Sequence, residues 1–356
     1  MGHMRPMDAT LRSAKALSAA GLIAPESLAS LEQVAAKYAV AITPAMADLI
    51  ERADDPIGLQ FLPQSAELDQ TSAESPDPVG DDRFSPVPGI VHRYPDRALL
   101  KITHTCAVYC RFCFRREMVG PDGLKPLDGA ALDTAIAYLA AHPEIWEVIV
   151  TGGDPFILSP RRIADLMTRL TAIDHVKVVR FHTRIPVVDP DKITTDLVAA
   201  LRTTDKAVYV ALHANHLKEL TPAARTACAR LIDAGIPMLS QTVLLKGVND
   251  TPEALGALMR GFVETRIKPY YLHHPDHAPG TGHFRTTIAE GQAILAALRG
   301  RYSGLCMPTY ILDIPDGYGK VPIGPNYLST DSVADPWGTD HPYPPKPGLP
   351  GTDIGH

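Results

Sequence analysis

From Arg97 onward the chain alternates two hydrophobic patterns: short runs of β-branched and aliphatic residues, then, after a polar turn, longer stretches with apolar positions at helical spacing. The runs predict strands at Ala98 to Thr103, Glu147 to Thr151, Lys177 to His182, Ala207 to Leu212, Met238 to Leu244 and Pro269 to His273. The amphipathic stretches predict helices at 130–141, 160–171, 191–203, 221–234 and 252–265. A strand–helix period near 30 residues leaves room for crossover connections, so the strands run parallel. Upstream, residues 8–52 carry Leu11, Leu17, Leu22 and the run Leu28 to Tyr38 at roughly helical spacing and read as a helical cap. Residues 53–92 are rich in Pro, Asp and Ser and are expected to wrap over a core rather than form one. The expected organisation is a cap and wrapping segment over 1–92, a barrel over 93–300, and a C-terminal loop and tail over 301–356.

The position of polar residues chooses between a wound sheet and a barrel. Cys106, Gly152-Gly153-Asp154, His182, His213, Gln241 and His273 each fall at or just past the C-terminal end of an expected strand. A single histidine at such a place is ordinarily structural. Six consecutive units delivering polar groups to one face point to a partial (β/α)6 TIM-like barrel, because barrels build their sites there.

Composition narrows the partners. The chain has 356 residues and is 45% hydrophobic, enough for a large core. Its net charge of −6 comes without a long basic run, which argues against nucleic acid. Five cysteines is a sparse and odd count, and neither a secretory signal nor a long apolar span is visible, so a cytoplasmic chain with reduced thiols and no membrane association is expected. Met1-Gly-His-Met4 reads as a remnant of expression. The 33 prolines include a tail, from Asp335-Pro-Trp through His341-Pro-Tyr-Pro-Pro, that cannot sustain a helix or a central strand and is expected to form an extended or disordered arm.

Three features carry chemistry. Cys106, Cys110 and Cys113 are spaced C-x3-C-x2-C with no fourth cysteine nearby. Three thiolates on one loop can hold three irons of a cubane and leave the fourth open to a small molecule. Zinc would want a fourth ligand, and only His104 is close in sequence. The spacing resembles that of radical S-adenosylmethionine (SAM) enzymes. Next, Gly152-Gly153-Asp154-Pro155 follows the second strand; glycines permit close backbone approach, and the acid can accept from an ammonium group. After the cysteine loop, this turn resembles the element with which such enzymes hold the methionine end of SAM. Finally, Asp313-Ile-Pro-Asp-Gly317-Tyr-Gly319-Lys320 ends in a lysine followed by Val321-Pro322, which excludes a P-loop. A flexible surface lysine and a recessed, desolvated lysine that carries pyridoxal phosphate (PLP) both fit that loop.

Taken with Gln241-Thr-Val-Leu-Leu-Lys-Gly-Val-Asn249, Tyr270-Tyr-Leu-His-His-Pro-Asp276 and His283-Phe-Arg285, these motifs resemble the lysine 2,3-aminomutases from about Pro88 to Tyr327. The resemblance implies a [4Fe-4S] cluster on Cys106, Cys110 and Cys113, and SAM held by Gly152, Gly153, Asp154, Gln241 and His213. It implies PLP on Lys320, with Arg93, Tyr94 and Arg97 around the phosphate and Tyr270 and His273 nearby. Arg115 would take the substrate carboxylate. The implied reaction moves the amino group of L-lysine to the neighbouring carbon through a substrate radical, giving L-β-lysine, with electrons from a reductase, a flavodoxin or a ferredoxin. A cysteine cluster for structural zinc near the C-terminus, present in some members, is absent after Cys306; a homodimer is still expected. Cys228 and Cys306 read as small buried apolar residues.

Substrate choice rests on Asp276 and Asp313, which match the acids that bind the distal ammonium in lysine-specific members. Two carboxylates in one desolvated pocket repel each other, and a cation between them relieves that cost. A glutamate side chain would add a third negative charge. Arginine, or a role in β-lysylation of elongation factor P, stays open as an alternative. An iron–sulfur electron carrier would leave Lys320, Asp276 and Asp313 without a task.

Overall fold

The computed structural model describes residues 9–120, 127 and 129–345. The Met1 to Met4 stretch and the end of the proline-rich tail lie outside the described residues. One sheet of nine strands dominates, with strands neighbouring each other in chain order. They are β1 (Ile90–Tyr94), β2 (Arg97–Thr103), β3 (Glu147–Gly152), β4 (Val178–Thr183), β5 (Ala207–His213), β6 (Met238–Val243), β7 (Ile267–His273), β8 (Thr309–Ile314) and β9 (Gly319–Pro322). Strands β2 to β8 are parallel, while β1 and β9 are antiparallel additions at the two edges.

The six expected strand–helix units are present as an open barrel, and the structure adds three strands. β1 straddles the expected boundary between the wrapping segment, ending at 92, and the barrel, starting at 93. β8 and β9 form a hairpin where a loop was expected, and the turn is made by Asp316 and Gly317, both with positive φ. A further helix, Ile288–Leu298, connects β7 to β8. The helix expected at 191–203 is shorter, Thr195–Leu201, with a separate turn at Ile185–Val188. Its start is set by Thr194, whose side chain accepts from the Leu197 amide.

Helix starts also account for much of the proline. Ser159-Pro160, Thr221-Pro222 and Thr251-Pro252 each place a hydroxyl at the N-cap and a proline at the first helical position, where no amide is needed. The helix Pro160–Thr171 then buries Ile163, Leu166, Met167 and Leu170, one face at helical spacing, against the sheet. Val148 and Val150 of β3 and Val179 and Phe181 of β4 receive such helices from inside the core. Up to residue 345 the tail contains a small antiparallel pair, β10 (Ser332–Ala334) and β11 (Asp340–Pro342).

The two sheet edges do not hydrogen-bond as strands; side chains bridge the seam. The Lys320 amide of β9 donates to Tyr94 Oη of β1 at 2.8 Å, and Arg93 of β1 lies 3.8 Å from Asp313 of β8. Gly80 packs flush on the hairpin turn: with φ +67° it has no Cβ, and one there would sit 2.4 Å from the Gly317 nitrogen.

Candidate active site

The C-terminal ends of the parallel strands open on one cavity of about 460 Å³, a size ordinary for a ligand pocket. The residues to which the resemblance gives site roles, from Arg93 to Lys320, all line it.

One wall is the cysteine loop. Cys106, Cys110 and Cys113 face the cavity, and the Cys113 amide closes a turn on the Cys110 carbonyl at 3.1 Å. Burial pushes all three thiols up, Cys113 to about 11. The residues between and after them anchor the loop from behind. Arg111 and Arg116 converge on Glu67, whose carboxylate is wholly buried; Arg111 Nε lies 2.9 Å from Oε1. Burial opposes ionisation of Glu67, but the two guanidinium groups hold it below the usual carboxylate range.

The Gly-Gly-Asp turn packs directly against this loop. A Cβ on Gly153 would sit 2.3 Å from the Thr105 carbonyl oxygen, and the Asp154 amide donates to that oxygen at 3.0 Å. The glycines are thus required by contact with the chain itself. Asp154 is buried and already occupied: Oδ1 accepts from Thr183 Oγ1 at 2.7 Å and the Phe156 amide at 3.0 Å, and Oδ2 accepts from the Arg184 amide at 2.7 Å. Those bonds make it a strut between turns as well as part of the cavity lining. His182 and His213 have Nε2 atoms without a protein partner, and burial, aided by Arg180 and Arg184 respectively, keeps both rings neutral.

Across the cavity runs a chain of charges. Arg115 Nη2 is 2.9 Å from Asp81 Oδ2, and Asp81 Oδ1 is 3.0 Å from Arg93 Nη2. Arg93 Nη1 is 3.8 Å from Asp313 Oδ1, and Asp313 Oδ2 pairs with the Lys320 ammonium. Burial opposes ionisation of Asp81, yet Arg115, Lys101 and Arg93 hold it below the usual range. The Nε atoms of Arg93 and Arg115 have no protein partner.

The two distal acids divide. Burial works against ionised Asp313, but the His273 ring, with Nδ1 3.7 Å away, and Lys320 bring it down to about 2. Burial and the neighbouring Asp313 charge push Asp276 up to about 7. His273 also approaches Gln241, with 3.4 Å between their Nε2 atoms.

Of the two settings that its loop allows, Lys320 takes the exposed one. It is not recessed: a third of its side chain is exposed, at the rim, because β9 is the sheet edge. The hairpin register sets it opposite Asp313, and cross-strand neighbours lie about 5 Å apart at Cα. Tyr94, expected at a phosphate, grips the Lys320 backbone, and Arg97 stacks over the Tyr94 ring at 3.8 Å. Tyr270 stacks on Tyr271 at 3.8 Å.

Sequence reasoning missed Asp81, Glu67, Gln60 and Arg184. The first three come from the wrapping segment, which supplies the interior instead of only covering it. Its acids precede the arginines they neutralise, and that charge balance was the available signal.

Residues 100–258 match the model of the radical SAM superfamily, and residues 295–335 that of lysine-2,3-aminomutase. The chain is 40% identical over 308 residues to an L-lysine 2,3-aminomutase of Acetoanaerobium sticklandii, covering 86% of this chain and 74% of that protein. It is 41% identical over 296 residues to one from Fusobacterium nucleatum, covering 82% and 69%. The chain belongs to the lysine 2,3-aminomutase family. It is also 37% identical over 300 residues to a glutamate 2,3-aminomutase of Clostridioides difficile, covering 84% and 70%.

The family's cofactors are a [4Fe-4S] cluster, SAM and PLP, and the side chains present suit them. A cubane takes each thiolate on a different iron. Among the described residues no three His, Cys, Asp or Glu side chains converge on one point, as a single metal ion would require. The unpartnered His213 Nε2 beside the cysteine wall suits SAM, and the unpartnered Arg93 Nε with the rim lysine suits a phosphorylated aldehyde. Among the described residues no helix is long and apolar enough to cross a membrane.

Proposed function

We propose that this enzyme converts L-lysine to L-β-lysine by moving the α-amino group to Cβ. Cys106, Cys110 and Cys113 hold the cluster, Lys320 carries PLP, and Gly152, Gly153, His213 and Gln241 border SAM. Bound together, the cofactors supply a carbon radical and a carbonyl group that holds the migrating nitrogen. The protein's own residues bind, orient and exclude. Arg115, held by Asp81 through Nη2, offers its free Nε edge to the substrate carboxylate. Asp276 and Asp313 receive the ε-ammonium at the other end. Fixing both ends sets Cβ at one place relative to the cysteine wall, which a reactive radical demands.

The observation that carries the substrate assignment is the split acid pair. Asp276 stands near 7 because burial and repulsion by the Asp313 charge resist its ionisation, while Asp313, against its own burial, is held near 2 by His273 and Lys320. A substrate ammonium relieves that repulsion, whereas a glutamate carboxylate would intensify it. A homodimer in the cytoplasm, reduced by a flavodoxin, a ferredoxin or a dedicated reductase, completes the proposal.

Product analysis tests it. Anaerobic protein with reconstituted cluster, PLP, SAM and reductant is given L-lysine, L-arginine and L-glutamate side by side, and β-lysine is expected as the dominant product. Conversion of arginine or glutamate without β-lysine overturns the assignment.

A further inference from the structure

We infer that Arg184 is a positioning residue for the iron–sulfur cluster, donating a charged hydrogen bond to the Cys110 sulfur and thereby setting the cluster's reduction potential. The inference rests on the proposed assignment of Cys106, Cys110 and Cys113 as cluster ligands. Arg184 directly follows β4, and its side chain is 5% exposed. Nη1 lies 3.0 Å from Cys110 Sγ, while Nη2 lies 2.6 Å from both Gln60 Oε1 and Glu219 Oε2. The rings of Phe61 and Phe112 lie 4.7 and 5.5 Å from the guanidinium carbon.

The holder is itself held. Glu219 Oε1 accepts from the amides of Asn215 and His216 at 2.8 and 2.9 Å and from Gln60 Nε2 at 3.2 Å. The Arg184 amide is bonded to Asp154. The wrapping segment, the loop after β5 and the Gly-Gly-Asp turn therefore fix the guanidinium fork in one orientation, with Nη1 on the sulfur and the buried Nε without a protein partner. Neither Cys106 nor Cys113 has a charged side-chain donor at hydrogen-bond distance among the described residues.

A buried Arg–Glu pair is poor value for stability alone, since apolar residues of similar volume commonly do as well. What apolar residues cannot do is donate to sulfur. Hydrogen bonds and positive charge at cluster sulfurs favour the reduced, more negative state. Arg184 thus raises the potential and eases entry of the single electron from an external one-electron donor. It also makes the Cys110 corner electronically distinct from the other two.

Two measurements on anaerobically reconstituted full-length protein test this. In chain labelled with 15N-arginine and chemically reduced, pulsed EPR is expected to show a nitrogen coupling to the cluster that disappears in Arg184→Lys. In a redox titration, the double variant Arg184→Met/Glu219→Gln, which removes both charges together, is expected to keep the cluster spectrum. Its reduced-to-oxidised ratio should fall at least tenfold at fixed potential, a shift of about 59 mV for a one-electron couple. A normal cluster signal whose nitrogen coupling is absent or survives Arg184→Lys overturns the inference alone, as does an unchanged potential in the double variant. No cluster signal in the unaltered chain overturns the cysteine assignment and this inference with it. If the double variant does not fold, the nitrogen coupling decides.

Discussion

Lysine should bind this enzyme more tightly as pH rises from 5 to 8, because the far end of its pocket must lose a proton to receive it. Asp313, near 2, is ionised throughout that range, while Asp276, near 7, is not. The substrate ammonium, with an ordinary pKa of about 10.4, stays charged. Asp276 is about 1% ionised at pH 5 and about 90% ionised at pH 8, so affinity should climb on the order of 10- to 100-fold, at 1.36 kcal/mol per pKa unit. The sign follows from linkage: a bound cation draws the Asp276 pKa down, so binding releases a proton and affinity levels off above pH 7. Burial holds the His273 ring below its ordinary value, toward the neutral form. Calorimetry of lysine binding to PLP-loaded protein without SAM, in buffers of different ionisation enthalpy, counts the protons. Release attributable to this residue should be about 0.9 at pH 6 and about 0.1 at pH 8. Asp276→Asn should bind lysine more weakly at pH 8 and lose that share of the proton count. An equal count in Asp276→Asn and the unaltered chain would refute the reasoning.

Three further outcomes follow from the same geometry. Glu67→Gln leaves Arg111 and Arg116 buried without their counter-charge and should cost about 3–5 kcal/mol in denaturant unfolding. Because Arg111 and Arg116 hold Glu67 below the usual range against burial, its contribution is full at neutral pH and is lost as pH falls below about 4. Asp81→Asn loosens Arg115 and Arg93 together, so lysine affinity and PLP affinity, measured separately by calorimetry and fluorescence, should both fall while the cluster spectrum stays unchanged. Lys320→Ala should abolish the PLP adduct trapped by borohydride and mapped by mass spectrometry, again with the cluster intact; an adduct on another lysine would refute its role.

The barrel was legible because its period is local. Each parallel strand is an apolar run, each helix an amphipathic one, and Val148 or Ile163 reports its burial through its own spacing. The edges were not legible for the complementary reason. β9 holds Gly319, Lys320, Val321 and Pro322, three of them exposed, so no apolar alternation marks it, and only pairing with β8 makes it a strand. The cavity's chemical residues could be read from motif spacing, but their supports could not. Asp81 and Glu67 act on arginines 34 and 44 residues downstream, a distance no periodicity spans. Asp154 illustrates the limit from the other side: residue type suggested a ligand contact, and nothing in the sequence marked the three internal donors that also hold its carboxylate.

The charge chain explains how one cavity can accept a zwitterion with an extra ammonium without first opening buried charge to water. In the ligand-free site Arg115 already pairs with a carboxylate, that of Asp81, and Asp313 already pairs with an ammonium, that of Lys320. In the proposed binding the substrate carboxylate adds to Arg115 at its free Nε while Asp81 keeps Nη2, and the ε-ammonium takes the place of the Lys320 ammonium at Asp313, so neither end leaves a buried charge unpaired. In PLP-free protein the Lys320 ammonium occupies Asp313, so a substrate ammonium has to compete with it there. Lysine should therefore bind PLP-free protein poorly, and Lys320→Ala should bind it better than the PLP-free parent does, a comparison that equilibrium dialysis with labelled lysine reads directly. Equal binding to PLP-free parent and to Lys320→Ala would show that the Asp313–Lys320 pair does not gate the pocket.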